Sequence, residues 1–327
     1  MKTDITVKSL LEHGDIFADI ANVNLFGGRR VLQPQDLRSM PTETSYKDIE
    51  GEFHALLRDC FQKVYRQGNC IGYIGYEVQM DINNIMPIRN MGYAYTAYMK
   101  QIHTIMAENK RNGCSAFARG LHKEQKLLPV ITCVLYLGTQ SWKYPLSLSD
   151  MLDIPNDEQA VWKKMTEDYG IHVISLVNQP REIREQYQSD FRIIADYLAY
   201  YDDETGLIEE WMQNRQILVH PEQLLDLLAA LSGDRRMKAM REALIQIERK
   251  EDTNMCLLMD IIERDYKEKG LEEGRKEGRK EGREEGRTEG IRGAVQLLQR
   301  LGLDEAVILQ QISFQFSLPT DTVKTYL

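Results

Sequence analysis

Several signatures that would settle the class of this chain at once are missing. Its five cysteines, Cys60, Cys70, Cys114, Cys133 and Cys256, are odd in number and hold no C-x-x-C pair. That argues against a disulfide framework and for reduced thiols in apolar settings. The six histidines, His13, His54, His103, His122, His172 and His220, show no ligand spacing for zinc. There is no G-x-x-x-x-G-K-[ST] loop for nucleotide phosphates and no G-x-S-x-G nucleophile elbow. No stretch approaches the roughly 18 apolar residues of a membrane span. The opening MKTDITVKSLLEHGD mixes acids into short apolar runs, unlike a signal peptide. The expectation is a cytoplasmic chain with no membrane partner.

What is present is an ordinary globular composition. The 327 residues are 43% hydrophobic and 28% charged, enough for one or two domains with a real core. The net charge is −9, but it is uneven. Residues 1–140 hold 16 Lys and Arg against 14 Asp and Glu; the remainder holds 25 against 36. A local basic patch is therefore compatible with the first part, and the acidity belongs to the second.

Hydrophobic spacing predicts a helix over 8–26, ended by Gly27-Gly28. A turn at 33–37 starts a short helical stretch, and 43–52 is polar and turn-like. Residues 53–65 read as a strand, with helix as the alternative. Residues 70–79, CIGYIGYEVQ, read more strongly as a strand, with Gln67-Gly68-Asn69 before it as a hairpin turn. A helix over about 88–108 follows Pro87. The apolar run at 129–138 suits a strand covered on both faces, and 171–177 suits another. From about 181 onward the pattern is helical only, with helices at 182–201, 206–216, 221–232 and 235–250. The implied architecture is α/β or α+β, a mixed sheet flanked by helices.

One pair of residues carries chemistry. Glu77 and Gln79 are two apart in a strand and so share a face. An acid in an otherwise apolar strand is costly unless a metal, a basic partner or an exposed strand end compensates it. If Asp59 lies on the neighbouring strand or near its end, its carboxylate can meet that of Glu77. Two carboxylates with carbonyls and waters are the oxygen ligands Mg2+ prefers, and such a metal can activate water against a phosphodiester. The alternative is a strand-end acid beside a structural aspartate.

Several stretches together carry a resemblance: DIFADIANVNLFGG at 15–28, LRD at 57–59, YEVQMDINNIMPIRNMGYAYTAYMKQI at 76–102, PVITCVLYLGTQSW at 129–142, and the EGRKEGREEG tail. This pattern resembles the bacterial recombination-promoting nucleases, PD-(D/E)xK nuclease-family transposases. The resemblance implies a restriction-endonuclease-like core and a Mg2+-dependent (or Mn2+- or Ca2+-dependent) DNA endonuclease. It places Asp59 and Glu77 as metal ligands and Asp59, Glu77 and Gln79 as the active set. Gln79 stands where most such nucleases have Lys. A neutral amide orients water by hydrogen bonding but does not stabilise hydroxide as a cation would. The first helix of the fold often adds an acid; Asp15 and Asp19 are the candidates, and Asp19 matches better. Arg89 is a candidate for DNA phosphate contact.

The expected division is a nuclease-like domain over 1–180, a helical region over 181–262, a charged helix or linker over 263–291 and a small helical unit over 292–327. In the charged segment glycine recurs every fourth residue from 270 to 290. Glu and Lys or Arg four apart favour a helix, while each Gly costs it about 1 kcal/mol. The small-residue stripe offers a homo-oligomer contact. DNA is the expected partner. The competing function is a catalytically weak or inactive relative that binds DNA or assembles.

Overall fold

The computed structural model describes residues 2–47, 53–113, 121–155, 159–233, 235–246 and 253–327. Where one helix over 8–26 is expected, two form: α1, Lys2–Leu11, and α2, Gly14–Asn24. His13 leaves the helical conformation between them. The restart lets every side chain from Ile16 to Val23 be buried. A helix enclosed on all sides must satisfy its polar groups internally. Asn22 does so by accepting from the Val31 and Leu32 N–H groups, each at 2.9 Å, and donating to the Leu32 carbonyl.

The helical stretch expected after Gln33 is a single 3-10 turn, Pro34–Asp36. It stops because Leu37 enters the sheet as the first residue of β1, Leu37–Ser39. Residues 43–47, expected to be turn-like, form β2, Glu43–Lys47; 48–52 lie outside the described residues. The single strand expected over 53–65 is split. β3, Phe53–Leu57, pairs antiparallel with β2 in a two-stranded sheet, while β4, Cys60–Arg66, joins the main sheet. The break falls at Arg58 and Asp59, whose side chains have other partners.

β5, Asn69–Gln79, returns antiparallel to β4 through Gln67-Gly68, both at positive φ (51° and 81°). Two consecutive left-handed residues define the tight hairpin turn whose twist matches its strands. The chain then runs through α3, Met86–Arg111, to β6, Val130–Tyr136, parallel to β5. β7, His172–Ser175, is parallel to β6. The sheet order is β1-β4-β5-β6-β7, mixed as expected. β6 is flanked on both edges, and its last five residues are buried, which explains its unbroken apolar run.

Helices cover both faces of β5. Phe17 of α2 packs against Tyr76 with the rings tilted by 50° and their centroids 4.5 Å apart, and the Tyr76 hydroxyl donates to the Phe17 carbonyl. Side chains of α3 meet the opposite face, where Glu77 points. A short helix, α4, Gln159–Met165, precedes β7. The helix expected over 182–201 is interrupted, as α5, Arg181–Arg184, and α6, Phe191–Ala199. α7, Glu204–Gln213, α8, Pro221–Ser232, and α9, Arg235–Gln246, follow. α1 packs on α8, and α2 on α6.

The chain divides into two compact units, Met1–Asp260 and Ile261–Leu327. The division falls within α10, Met255–Arg300, which contains the glycine-spaced segment as helix. In the second unit Ile291 and Val295 of α10 pack with Ile308 and Ile312 of α11, Glu305–Phe316, and Val323 of α12, Thr320–Lys324. Among the described residues no helix is long and apolar enough to cross a membrane.

Candidate active site

The alternation of β5 sends Tyr76 and Val78 to one face and Glu77 and Gln79 to the other. Glu77 is only 2% exposed. Its carboxylate is held by α3: Arg89 Nη2 lies 2.7 Å from Oε1, and the Tyr93 hydroxyl donates to Oε2 at 3.0 Å. Arg89 and Tyr93 are one helical turn apart, so one face of α3 presents both. Arg89 also donates to the Tyr93 hydroxyl at 2.8 Å. Gln79 Nε2 donates to Glu77 Oε1 at 3.2 Å, so the two residues meet as their spacing predicts. Burial pushes the Glu77 carboxyl up to about 7; Arg89 opposes this, and the charge of Asp59 adds to it. Burial also raises the Tyr93 hydroxyl above its ordinary value, so it remains a proton donor to the carboxylate.

Asp59 sits just before β4. Cys60 pairs with Tyr76 where the β4–β5 ladder ends, and Asp59 lies in the bend one residue beyond it. Its Oδ2 accepts the Val78 N–H at 2.8 Å, fixing it to the end of β5. Its Oδ1 lies 2.9 Å from the Lys8 ammonium. Arg58, its neighbour, turns away. The Arg58 guanidinium donates to the Tyr93 carbonyl and lies over the Phe61 ring, 4.1 Å from its centroid. Burial lowers it to about 10. Arg58 thus braces the turn of α3 that carries Tyr93, while Asp59 is left to the Glu77 side. Beyond Gln79, residues 80–84 line a cleft of ≈ 430 Å³ with Val78 and Gln79.

The donor set suits a hard divalent cation. An ionised carboxylate offers about four lone-pair sites. Glu77 spends three on Arg89, Gln79 and Tyr93, and Asp59 spends two on Lys8 and Val78. Oxygen sites of the kind such an ion takes remain on both, and each carboxylate also faces a cation of the chain, Lys8 or Arg89.

Asp19 lies elsewhere. It is buried, ion-paired with Arg30, and accepts from the Gln188 N–H, the Ser189 N–H and the Ser189 hydroxyl at 2.7–2.8 Å. None of these partners is Asp59, Glu77 or Gln79; Asp19 ties α2 to the loop before α6. Asp15 meets His220, with Nε2 at 2.9 Å and 3.0 Å from its two oxygens. The histidines, which show no ligand spacing along the chain, are not all isolated in space: His13 stacks on His220 at 3.6 Å. Tyr98 is a packing residue whose hydroxyl accepts the Val130 N–H at 3.3 Å.

Sequence reading misses Lys8 and the roles of Arg58 and Tyr93. Lys8 comes from a helix separated from Asp59 by about fifty residues, and nothing in its local sequence distinguishes it from a solvated lysine. The spacing of Arg89 and Tyr93 was a usable signal, since positions four apart on the helix after an acidic strand can converge on it.

The family model described as "Putative transposase, YhgA-like" matches residues 2–218. That span includes the whole five-stranded sheet and every residue of the Glu77 cluster. No curated protein and no solved structure matches the chain.

Proposed function

Because the chain belongs to the YhgA-like transposase family, we propose that it is a metal-dependent DNA endonuclease with a PD-(D/E)xK core. The supporting observation is that Asp59, in the bend before β4, accepts the N–H of Val78 next to Glu77, while Glu77 is buried beneath α3 with Gln79 beside it. Asp59 and Glu77 would hold Mg2+ (or Mn2+ or Ca2+), which when bound supplies a Lewis acid for the phosphodiester and lowers the proton affinity of water.

The remaining work falls to the chain's own groups. Tyr93 and Arg89 keep the Glu77 carboxylate in one orientation, so it costs little to reorganise. Gln79 donates to Glu77 and keeps its own amide oxygen as an acceptor for a water proton. Lys8, paired with Asp59 and 42% exposed at its side chain, would add a positive charge beside the carboxylates. Arg89, at 31%, offers a phosphate contact. DNA is the substrate in this reading, and the family links the activity to mobile elements.

One observation favours a second reading. Both carboxylates already carry a cation of the same chain, Lys8 and Arg89. The pair would then be structural, and the chain would bind DNA or assemble without cutting it.

Supercoiled-plasmid cleavage in Mg2+ or Mn2+ separates the two. The native chain should nick or linearise DNA, chelator should stop it, and Glu77→Ala or Asp59→Asn should lose on the order of 100-fold or more, the several kcal/mol a metal centre contributes. A well-folded native chain that cuts no better than Glu77→Ala would leave the second reading.

A further inference from the structure

Another meeting of ionisable groups in the first unit shares no residue with the Glu77 cluster. His13 caps α2, Asp15 lies in its first turn, and His220 caps α8. Asp15 and His220 are 205 residues apart in the chain. One donor atom from each of His13, Asp15 and His220 lies within 4.8 Å of the others, and all three residues are partly buried. The backbone at His220 is fixed, since the Asp190 carboxylate accepts its N–H at 2.6 Å and that of Val219 at 3.0 Å. The His13 backbone is fixed by the turn between α1 and α2, where its N–H donates to Leu10 and its carbonyl accepts from Phe17. Three donors with held backbones and side chains 17% to 35% exposed at His220 and Asp15 make a half-open site.

We propose that His13, Asp15 and His220 bind a divalent transition-metal ion of the zinc type. Two imidazoles and a carboxylate suit zinc, iron, cobalt or nickel and do not suit Mg2+ or Ca2+, which take oxygen. Three protein ligands leave a position open, and solvent reaches it. The ion would take the place of the direct contact between His220 Nε2 and the Asp15 carboxylate.

Ligation requires a movement that can be named. A metal about 2.0–2.1 Å from a ring nitrogen lies in the plane of that ring. The His13 and His220 rings are stacked 3.6 Å apart and only 22° from parallel. Two such planes do not meet at one ion, so one imidazole turns about its Cβ–Cγ bond and the stack opens. The bound ion then joins the α1–α2 turn to the start of α8. Asp15 also lines a cleft of ≈ 240 Å³ with Arg30, Asn22 and Ser189.

The test uses the full chain, freed of metal by chelator and titrated with Co2+ as a visible probe and with Zn2+ in competition. One Co2+ per chain should bind with the absorption bands of a nitrogen-ligated, four- or five-coordinate ion, and Zn2+ should displace it. His220→Gln and Asp15→Asn should each weaken binding by more than the ~10–100-fold typical of losing an outer-shell partner. Glu77→Ala should leave this site unchanged, which separates it from the Asp59–Glu77 pair. Zn2+ should raise the melting temperature of the native chain and not of His220→Gln. Circular dichroism in chelator checks folding, and Asp15→Asn, whose amide can still hydrogen-bond His220, decides if His220→Gln does not fold. Absence of stoichiometric binding, or equal affinity in native chain and both variants, would overturn the proposal.

Discussion

Glu77→Gln isolates the cost of burying this acid from any use it has. In the folded chain the Glu77 carboxyl is pushed from 4.5 up to about 7, mainly by burial. The folded state therefore holds this proton more tightly than the unfolded state, and stability falls as pH rises between the two values. Below about pH 4.5 both states are protonated and the group costs nothing. Above about 7 both are ionised, and the gap corresponds to ~3 kcal/mol lost by the folded chain. Glutamine imitates the protonated acid: it can accept from Arg89 and meet Tyr93 without carrying charge. In chelator at pH 8, Glu77→Gln should be more stable than the native chain by about 3 kcal/mol, and at pH 4 the two should be equal. Urea denaturation at both pH values measures this. Mg2+ should narrow the gap at pH 8, because it binds the ionised carboxylate of the native chain and gains little from the amide. A Glu77→Gln chain less stable than native at pH 8 without metal would refute the reasoning. The Arg89 and Tyr93 contacts would then outweigh burial, and Glu77 would be an ordinary internal ion pair.

Two further expectations concern stability. Arg184, with its guanidinium 2.7 Å from Asp196 and both side chains almost fully enclosed, holds α5 to α6; Arg184→Ala should cost ~3–5 kcal/mol in a urea melt by leaving a buried carboxylate. Arg192, 3.6 Å from Asp196, favours the lower end, and a loss below ~1 kcal/mol would show that Asp196 takes a proton instead. In α10, a Cβ added at Gly274, Gly278, Gly282, Gly286 or Gly290 meets nothing within 4 Å. Alanine at these positions should raise helix stability by up to ~1 kcal/mol each, followed by thermal circular dichroism. A loss of stability that is large in concentrated solution and shrinks on dilution would identify the glycine stripe as the contact between copies of the chain.

Periodicity and turn chemistry determined a good part of this protein. The alternation in CIGYIGYEVQ placed Glu77 and Gln79 on one face of one strand, and they are hydrogen-bonded there. Gly68 after Gln67 marked the hairpin, because few other residues accept its backbone angles. The unbroken apolar run of β6 announced a strand buried on both faces, since only such a strand needs no polar side. These are local properties, set by a residue and its near neighbours.

The remainder was decided by packing between distant segments. The break of the first helix at His13 lets α2 be enclosed on all sides, and no short-range signal demands it. The split at Arg58 and Asp59 arises because one side chain is needed against Tyr93 and Phe61 and the other against Val78. Lys8 reaches Asp59 only once α1 lies against the start of β4, and His13 reaches His220 only once α1 and α8 lie together. Asp19 matched its pattern yet found its partners in Arg30 and Ser189. A carboxylate's role depends on which cations and donors surround it, and those come from parts of the chain that only the folded structure brings together.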